Sequence, residues 1–275
     1  MGKPPRRKVD VEKRWNSGAG RGEGGLYQPW LTVQSFPSRG RSHRIKGWKT
    51  ARLHHLLSDL ELNYFYLLEW SSKVVDIREQ YPLERTEVTK VVADHLGIKP
   101  PTIPKTNELS VMTTDFLITI KESDQCQDVA RTIKYSKELD DDRIIEKLEI
   151  ERAWWETQGI DWGIVTEVDL PPTLVKNIKR LHDFKSLSGR SQLQQDHTEL
   201  VQHLTNAVQK SADSLASIAS RCDTEFGLEA GSFLSLAKYL IANRHWLIDM
   251  ETEFRPTKAL ELLSVNLQDL TCANN

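Results

Sequence analysis

The sequence predicts an α/β domain on a mixed sheet, followed by a mostly helical domain of winged-helix order. Three observations carry this. Apolar residues recur at three- and four-residue steps from Leu53 to Leu68, the mark of a helix with one buried face. Strand-like runs at 111–120 and 128–135 are followed by a helical run at 141–158 and another strand at 161–166. The last three make a βαβ unit with parallel strands. Pro171-Pro172 then break both helix and sheet, and the rest of the chain reads as helices.

The chain's 275 residues suffice for one large domain or two ordinary ones. With 39% hydrophobic and 28% charged residues, it is neither disordered by composition nor of a fibrous or disulfide-rich class. Cys126, Cys222 and Cys272 form no CxxC pair for zinc or redox chemistry and fit a reducing compartment. No apolar core follows the basic N-terminus MGKPPRRKVD, and no apolar run reaches membrane-spanning length. A cytoplasmic protein without membrane contact is expected.

The net charge of −2 hides an uneven distribution. Residues 1–55 hold 13 Lys and Arg against three acids, while the remainder is strongly acidic. Residues 1–52 therefore read as a basic arm suited to a polyanion, rich in glycine and so more loop than helix. Its rings, including Tyr27 and Trp30, could stack on bases or simply anchor the arm. The densest stretch, Arg39 to Lys49, supplies Arg39, Arg41, His43, Arg44, Lys46 and Lys49 as candidate DNA contacts.

In the second segment, 53–170, His54-His55 close a strand, and Ser58 with Glu61 three residues on has the form of a capping box that starts the helix. The helix ends near Trp70. A short strand at 73–77 comes next, and Pro82 marks an edge or a bend. Residues 84–109, with three prolines, read as an irregular excursion. Asp140-Asp141-Asp142 place acids at the N-terminus of the next helix, and Gly159 stops it. In the third segment, 171–275, helices at 173–183, 198–210, 214–221 and 229–243 precede a strand at 245–251, which Glu253 to Pro256 turn back. That segment holds 11 basic and 12 acidic residues from 172 onward, so a protein contact there is as well founded as a DNA contact.

Phosphodiester hydrolysis needs an in-line water, cations to neutralise phosphoryl charge and hard oxygen ligands for Mg²⁺. Asp115 in its apolar strand, Lys134 in the partner strand and Glu61 in the first helical turn could converge at one end of the sheet. Each also has an ordinary role: Glu61 as capping partner of Ser58, Asp115 as an edge residue, Lys134 as an outward lysine. His54 and His55 point to opposite faces of a strand and cannot share an ion.

Ser58-Asp59-Leu60-Glu61, Glu79-Gln80-Tyr81-Pro82, Thr114-Asp115-Phe116 and Thr132-Ile133-Lys134 resemble, in order, the TnsA endonuclease subunits of heteromeric cut-and-paste transposases. Pro29 to Val33, Gly40 to Ile45 and His54 to Leu62 are similar almost residue for residue. The resemblance runs from about Gly20 to Asp183. It implies a restriction-endonuclease-like core of the PD-(D/E)xK type and a winged-helix-like C-terminal domain. In such a core Glu61 and Asp115 are Mg²⁺ ligands, with Mn²⁺ as a substitute, and Lys134 is the motif lysine. Ser58 and Gln80 are supporting residues. Thr132 stands where many nucleases carry Glu or Asp, and its hydroxyl is a poorer ligand, which the Ile133 carbonyl could supplement. The implied activity is cleavage of the 5′ strand at transposon ends, with a DDE transposase acting on the 3′ strand. The implied partners are transposon-end DNA, that transposase and an ATP-binding regulator met by the C-terminal domain. The alternatives are a catalytically weak scaffold between transposase and regulator, and a free-standing nuclease.

Overall fold

The computed structural model describes residues 11–34, 40–103, 107–189, 192–195 and 197–267. The elements run α1 (Val11–Asn16), β1 (His43–Lys46), β2 (Leu53–Leu56), α2 (Asp59–Trp70), β3 (Val74–Pro82), α3 (Thr86–His95), β4 (Thr113–Glu122), β5 (Gln125–Ile133), α4 (Asp142–Thr157) and β6 (Asp161–Val165). They continue with α5 (Pro172–Leu181), α6 (Gln192–Gln195), α7 (His197–Lys210), α8 (Leu215–Glu225), α9 (Ser232–Ala242), β7 (Trp246–Leu247) and β8 (Ser264–Val265). The chain divides into two compact units between Leu170 and Pro171.

In the first unit the order β3-β4-β5-β6 makes a four-stranded mixed sheet, antiparallel through β5 and parallel between β5 and β6, with α4 as the crossover. Helix α2 lies on one side of this sheet, where Tyr64 meets Phe116 edge-on. On the other side, Trp154 and Trp155 of α4 pack with Leu83, Leu117 and Ala130. The caps agree with the sequence: Ser58 accepts from the Glu61 amide at the start of α2, and Asp141 accepts from the Arg143 and Ile144 amides at the start of α4.

Three local expectations are corrected in the first unit. The strand expected at 73–77 continues to Pro82, because β3 lies at the sheet edge, where the missing proline N–H breaks no ladder. The excursion 84–109 contains α3, whose amphipathic pattern the flanking prolines obscured. The basic arm is more structured than its glycines suggested. Residues 11–16 form a helix, and β1 pairs antiparallel with β2, His43 opposite Leu56. Tyr27 and Trp30 are each only 3% exposed, so these two rings anchor the segment to the body.

The anchor closes on a buried carboxylate. Glu79 of β3 is fully buried and accepts from both terminal nitrogens of Arg52, at 2.8 and 2.5 Å, from His54 Nδ1 at 2.8 Å and from the His55 amide at 3.0 Å. Arg52 also lies over the Tyr27 ring, and the Tyr27 hydroxyl donates to the Glu79 carbonyl. Gly47 leaves room for this arrangement, since a Cβ there would sit 2.7 Å from His54 Nε2. Burial alone would raise the Glu79 carboxyl, but the hydrogen bonds from Arg52 and His54 outweigh it and hold it at about 2.

The second unit has its own core of Leu200, Leu204, Ile218, Phe233, Leu236 and Trp246. Asn177 of α5, fully buried, clasps the 250–254 segment: it donates to the Met250 and Thr252 carbonyls and accepts from the Phe254 amide. The strand expected at 245–251 shrinks to Trp246–Leu247, because this clasp takes the backbone beyond it. The returning strand comes only at Ser264–Val265. Among the described residues no helix is long and apolar enough to cross a membrane.

A depressed carboxyl contributes stability above its unfolded value, near 4.5, and that contribution is lost as pH falls toward 2. Unfolding free energy from urea titrations should therefore drop across that window, and Glu79→Gln should flatten the drop. Arg52→Met, which leaves the buried Glu79 carboxylate without its guanidinium partner and with only His54 and the His55 amide as donors, should cost about 3–5 kcal/mol at pH 7.

Candidate active site

A departure from strand alternation within β3, an edge strand of the sheet, builds the site. In a regular strand, consecutive side chains go to opposite faces. Here Glu79 and Gln80 are consecutive, yet both turn to the α2 side: Glu79 to His54, which packs on Phe65, and Gln80 to Glu61. The next residue, Tyr81, turns to Trp155 of α4. Gln80 manages this with φ +50°, a left-handed conformation that costs a non-glycine residue about 1–3 kcal/mol. Strand β4 answers in kind: Phe116 meets Tyr64 of α2, Asp115 joins Gln80 and Glu61, and Thr114 bonds Glu151 and Trp155 of α4.

Glu61, Gln80, Asp115 and Lys134 are thereby brought together. Glu61 Oε2 accepts from the Leu57 amide at 2.9 Å and from Gln80 Nε2 at 3.2 Å, and Oε1 accepts from the Ser58 hydroxyl at 2.9 Å. Gln80 Nε2 also lies 3.5 Å from Asp115 Oδ1. The other oxygen, Asp115 Oδ2, accepts from the Ile133 amide at 2.7 Å and from Lys134 Nζ at 3.2 Å. Lys134 Nζ donates in turn to the Ile133 carbonyl at 2.8 Å. Ser58 thus both caps α2 and holds the carboxylate.

The electrostatics call for positive charge. Burial, then the neighbouring Asp115 charge, push the Glu61 carboxyl up to about 8, against the pull of the Leu57 and Ser58 hydrogen bonds. Burial draws the Lys134 amine down, but Asp115, Glu151 and Glu61 outweigh it and raise it above the ordinary lysine value. Among the described residues no three His, Cys, Asp or Glu side chains cluster to hold a metal on their own. What this site offers is two carboxylates and the Ile133 carbonyl, all hard oxygens of the kind Mg²⁺ prefers.

Thr132, expected among the ligands, is not brought to the site. Its hydroxyl donates to Glu151 on the α4 side, joining Thr114 at 2.7 Å and Trp162 Nε1 at 3.0 Å on the same carboxylate oxygen. Of the candidate DNA contacts, Arg41, Arg44 and Lys46 are exposed, the last two on one face of β1. His43 is tied to Asp59 at 2.7 Å and Lys49 to the Ser71 carbonyl at 2.7 Å. Arg39 lies outside the described residues.

Comparison with known proteins settles the family. A model of the TnsA-like endonuclease N terminal region matches residues 71–167, and one of the TnsA endonuclease C terminal region matches 169–250. The transposon Tn7 transposition protein TnsA of Escherichia coli is 37% identical over 270 residues, covering 97% of this chain and 96% of that protein. The chain belongs to the TnsA family. It is thus a transposition endonuclease by family, and its mixed sheet fits a restriction-endonuclease-like fold. In this TnsA-family chain the N-terminal match begins after Glu61, so that carboxylate enters the candidate site on geometry alone.

Sequence reasoning missed Glu151. Its signal was a charged residue on the buried stripe of α4, between Leu148 and Trp155 at helical spacing. Since the Thr132 hydroxyl is engaged as a donor to Glu151, Thr132→Val should lower the melting temperature while leaving DNA cleavage largely intact. The cost of losing that donor should be about 1–3 kcal/mol. Loss of cleavage at full stability would return Thr132 to the ligand set.

Proposed function

We propose that this chain is the Mg²⁺-dependent subunit that cleaves the 5′ strand at transposon ends, within a transposase whose DDE-class subunit cuts and joins the 3′ strand. The observation that supports it most is the meeting of Glu61, Asp115 and Lys134 through Gln80 and Ile133, in the order a PD-(D/E)xK site requires. Glu61, Asp115 and the Ile133 carbonyl would hold the ion. Bound Mg²⁺, or Mn²⁺ in its place, would neutralise charge on the phosphoryl oxygens and acidify a water.

The chain's own groups take definite parts. Glu61 is fixed by Ser58, Leu57 and Gln80, and Asp115 by the Ile133 amide, so neither carboxylate has to be reoriented during reaction. Lys134, raised above its ordinary value, keeps its proton at neutral pH. It therefore serves as a cation toward the phosphate and not as the base for the water. Arg41, Arg44 and Lys46 carry the sequence-independent grip on DNA.

The tie to a DDE transposase rests on the family and on the naming of the Escherichia coli relative as a transposition protein of Tn7. The C-terminal unit, with α7, α8 and α9 followed by the β7–β8 pair, is read as winged-helix-like and as the contact for an ATP-binding regulator.

Strand-specific cleavage of an end substrate by the reconstituted complex, with and without Mg²⁺, tests the assignment. Asp115→Ala should abolish 5′-strand cleavage while the end complex still assembles, and Lys134→Ala should slow it by about 10²–10³-fold. Full cleavage after Glu61, Asp115 and Lys134 are changed together would leave the chain a scaffold. Arg44→Ala and Lys46→Ala should each lower the salt dependence of DNA binding by about one unit of slope.

A further inference from the structure

We infer that Gln80 is a positioning residue for the two carboxylates: a left-handed turn inside β3, braced by the N-terminal segment, delivers its amide between Glu61 and Asp115 so that both acids face one cation. The inference rests on the metal-dependent site proposed above. Among the described residues four non-glycines have positive φ. Ala51, Ser123 and Arg244 lie in turns or loops, and Gln80 alone lies within a strand. A strained backbone in the middle of a strand persists only where its surroundings hold it.

Here the surroundings are identifiable. The Gln80 carbonyl accepts from the Trp30 amide at 3.1 Å, and the preceding Glu79 carbonyl accepts from the Tyr27 hydroxyl at 3.0 Å. Both donors belong to residues only 3% exposed, so the segment 27–30 grips two successive peptide units of β3 from outside the sheet. The result is an amide that is 2% exposed, with one nitrogen 3.2 Å from Glu61 and 3.5 Å from Asp115. Two N–H groups on one planar nitrogen suit two carboxylates, since each acid can accept one hydrogen bond and no charge is added. A glutamate here would set a third negative group among them, and a leucine would leave them untied.

The decisive variant is Gln80→Gly. Glycine adopts φ +50° freely, so a purely architectural Gln80 predicts unchanged metal binding and a melting temperature at least as high as before. A positioning Gln80 predicts that the melting temperature holds while affinity for Mn²⁺ falls by about 10–100-fold, as when an outer hydrogen bond to a metal ligand is lost. Free Mn²⁺ counted by electron paramagnetic resonance during titration of the full chain reads this without cleavage. In the reconstituted complex the Mn²⁺ needed for half-maximal rate should rise in proportion, with the rate at saturating metal largely recovered.

Gln80→Leu, which keeps the side-chain volume, should show the same loss. Asp115→Ala is titrated beside them. If Asp115→Ala loses Mn²⁺ while Gln80→Gly and Gln80→Leu bind it within twofold of the unaltered chain, the inference is overturned and the metal site stands. If Asp115→Ala binds as tightly as the unaltered chain, the metal site itself falls and the inference with it.

Discussion

The first unit depends on one buried negative charge. A carboxylate taken out of water costs several kcal/mol unless donors replace its hydration, and Glu79 receives four of them from one short stretch of chain, Arg52 to His55. That stretch leads into β2, so meeting the demand of Glu79 fixes β2 and its partner β1 against the edge of the main sheet. The same carboxylate orients Arg52 over Tyr27 and thereby seats the N-terminal segment. Gln80 is the next residue along. The geometry of the candidate active site is inherited from a charge that takes no part in its chemistry.

Glu61 and Asp115 pose the opposite problem, two acids held close with too little positive charge between them. The protein eases this with neutral donors, the amides of Leu57 and Ile133, the Ser58 hydroxyl and the Gln80 side chain, and with the single ammonium of Lys134. Dipoles of that kind orient carboxylates without cancelling their attraction for a cation, which a second lysine or arginine would do. The Glu151 carboxyl on the α4 side is handled differently. Thr114, Thr132 and Trp162 satisfy it, and it ties the crossover helix to the ends of β4 and β5.

Much of this was legible because the signals were local. The period of α2, its Ser58 cap, the βαβ unit and the proline boundary all arise from residues close in sequence, and the three charged site residues lie in segments whose motifs resemble a known family. The hidden features depend on pairings far apart in the chain. Nothing near Gln80 marks it as left-handed, because the cause is a hydrogen bond from Trp30, fifty positions earlier. Thr132 fills a motif position, yet which face its hydroxyl takes is decided by Glu151 and Trp162, contributed by the crossover helix and the strand after it. His43 and Lys49 read as phosphate contacts by composition, and a composition count does not see the protein partners they bond, Asp59 and the Ser71 carbonyl. The shortened strand at Trp246 has the same origin, in an asparagine clasp that begins at residue 177.

The grip of residues 27–30 on β3 makes the beginning of the chain inseparable from the sheet's interior. Trp30 and Tyr27 belong by position to the segment that carries the basic residues, but by hydrogen bonding they belong to the backbone beneath the carboxylates. A fragment trimmed to the sheet and its helices would keep every charged site residue and still lack the outer support of one strand. Engineering of the basic N-terminal segment therefore has a natural limit: grafts and deletions are safe only where they leave that buried handhold in place.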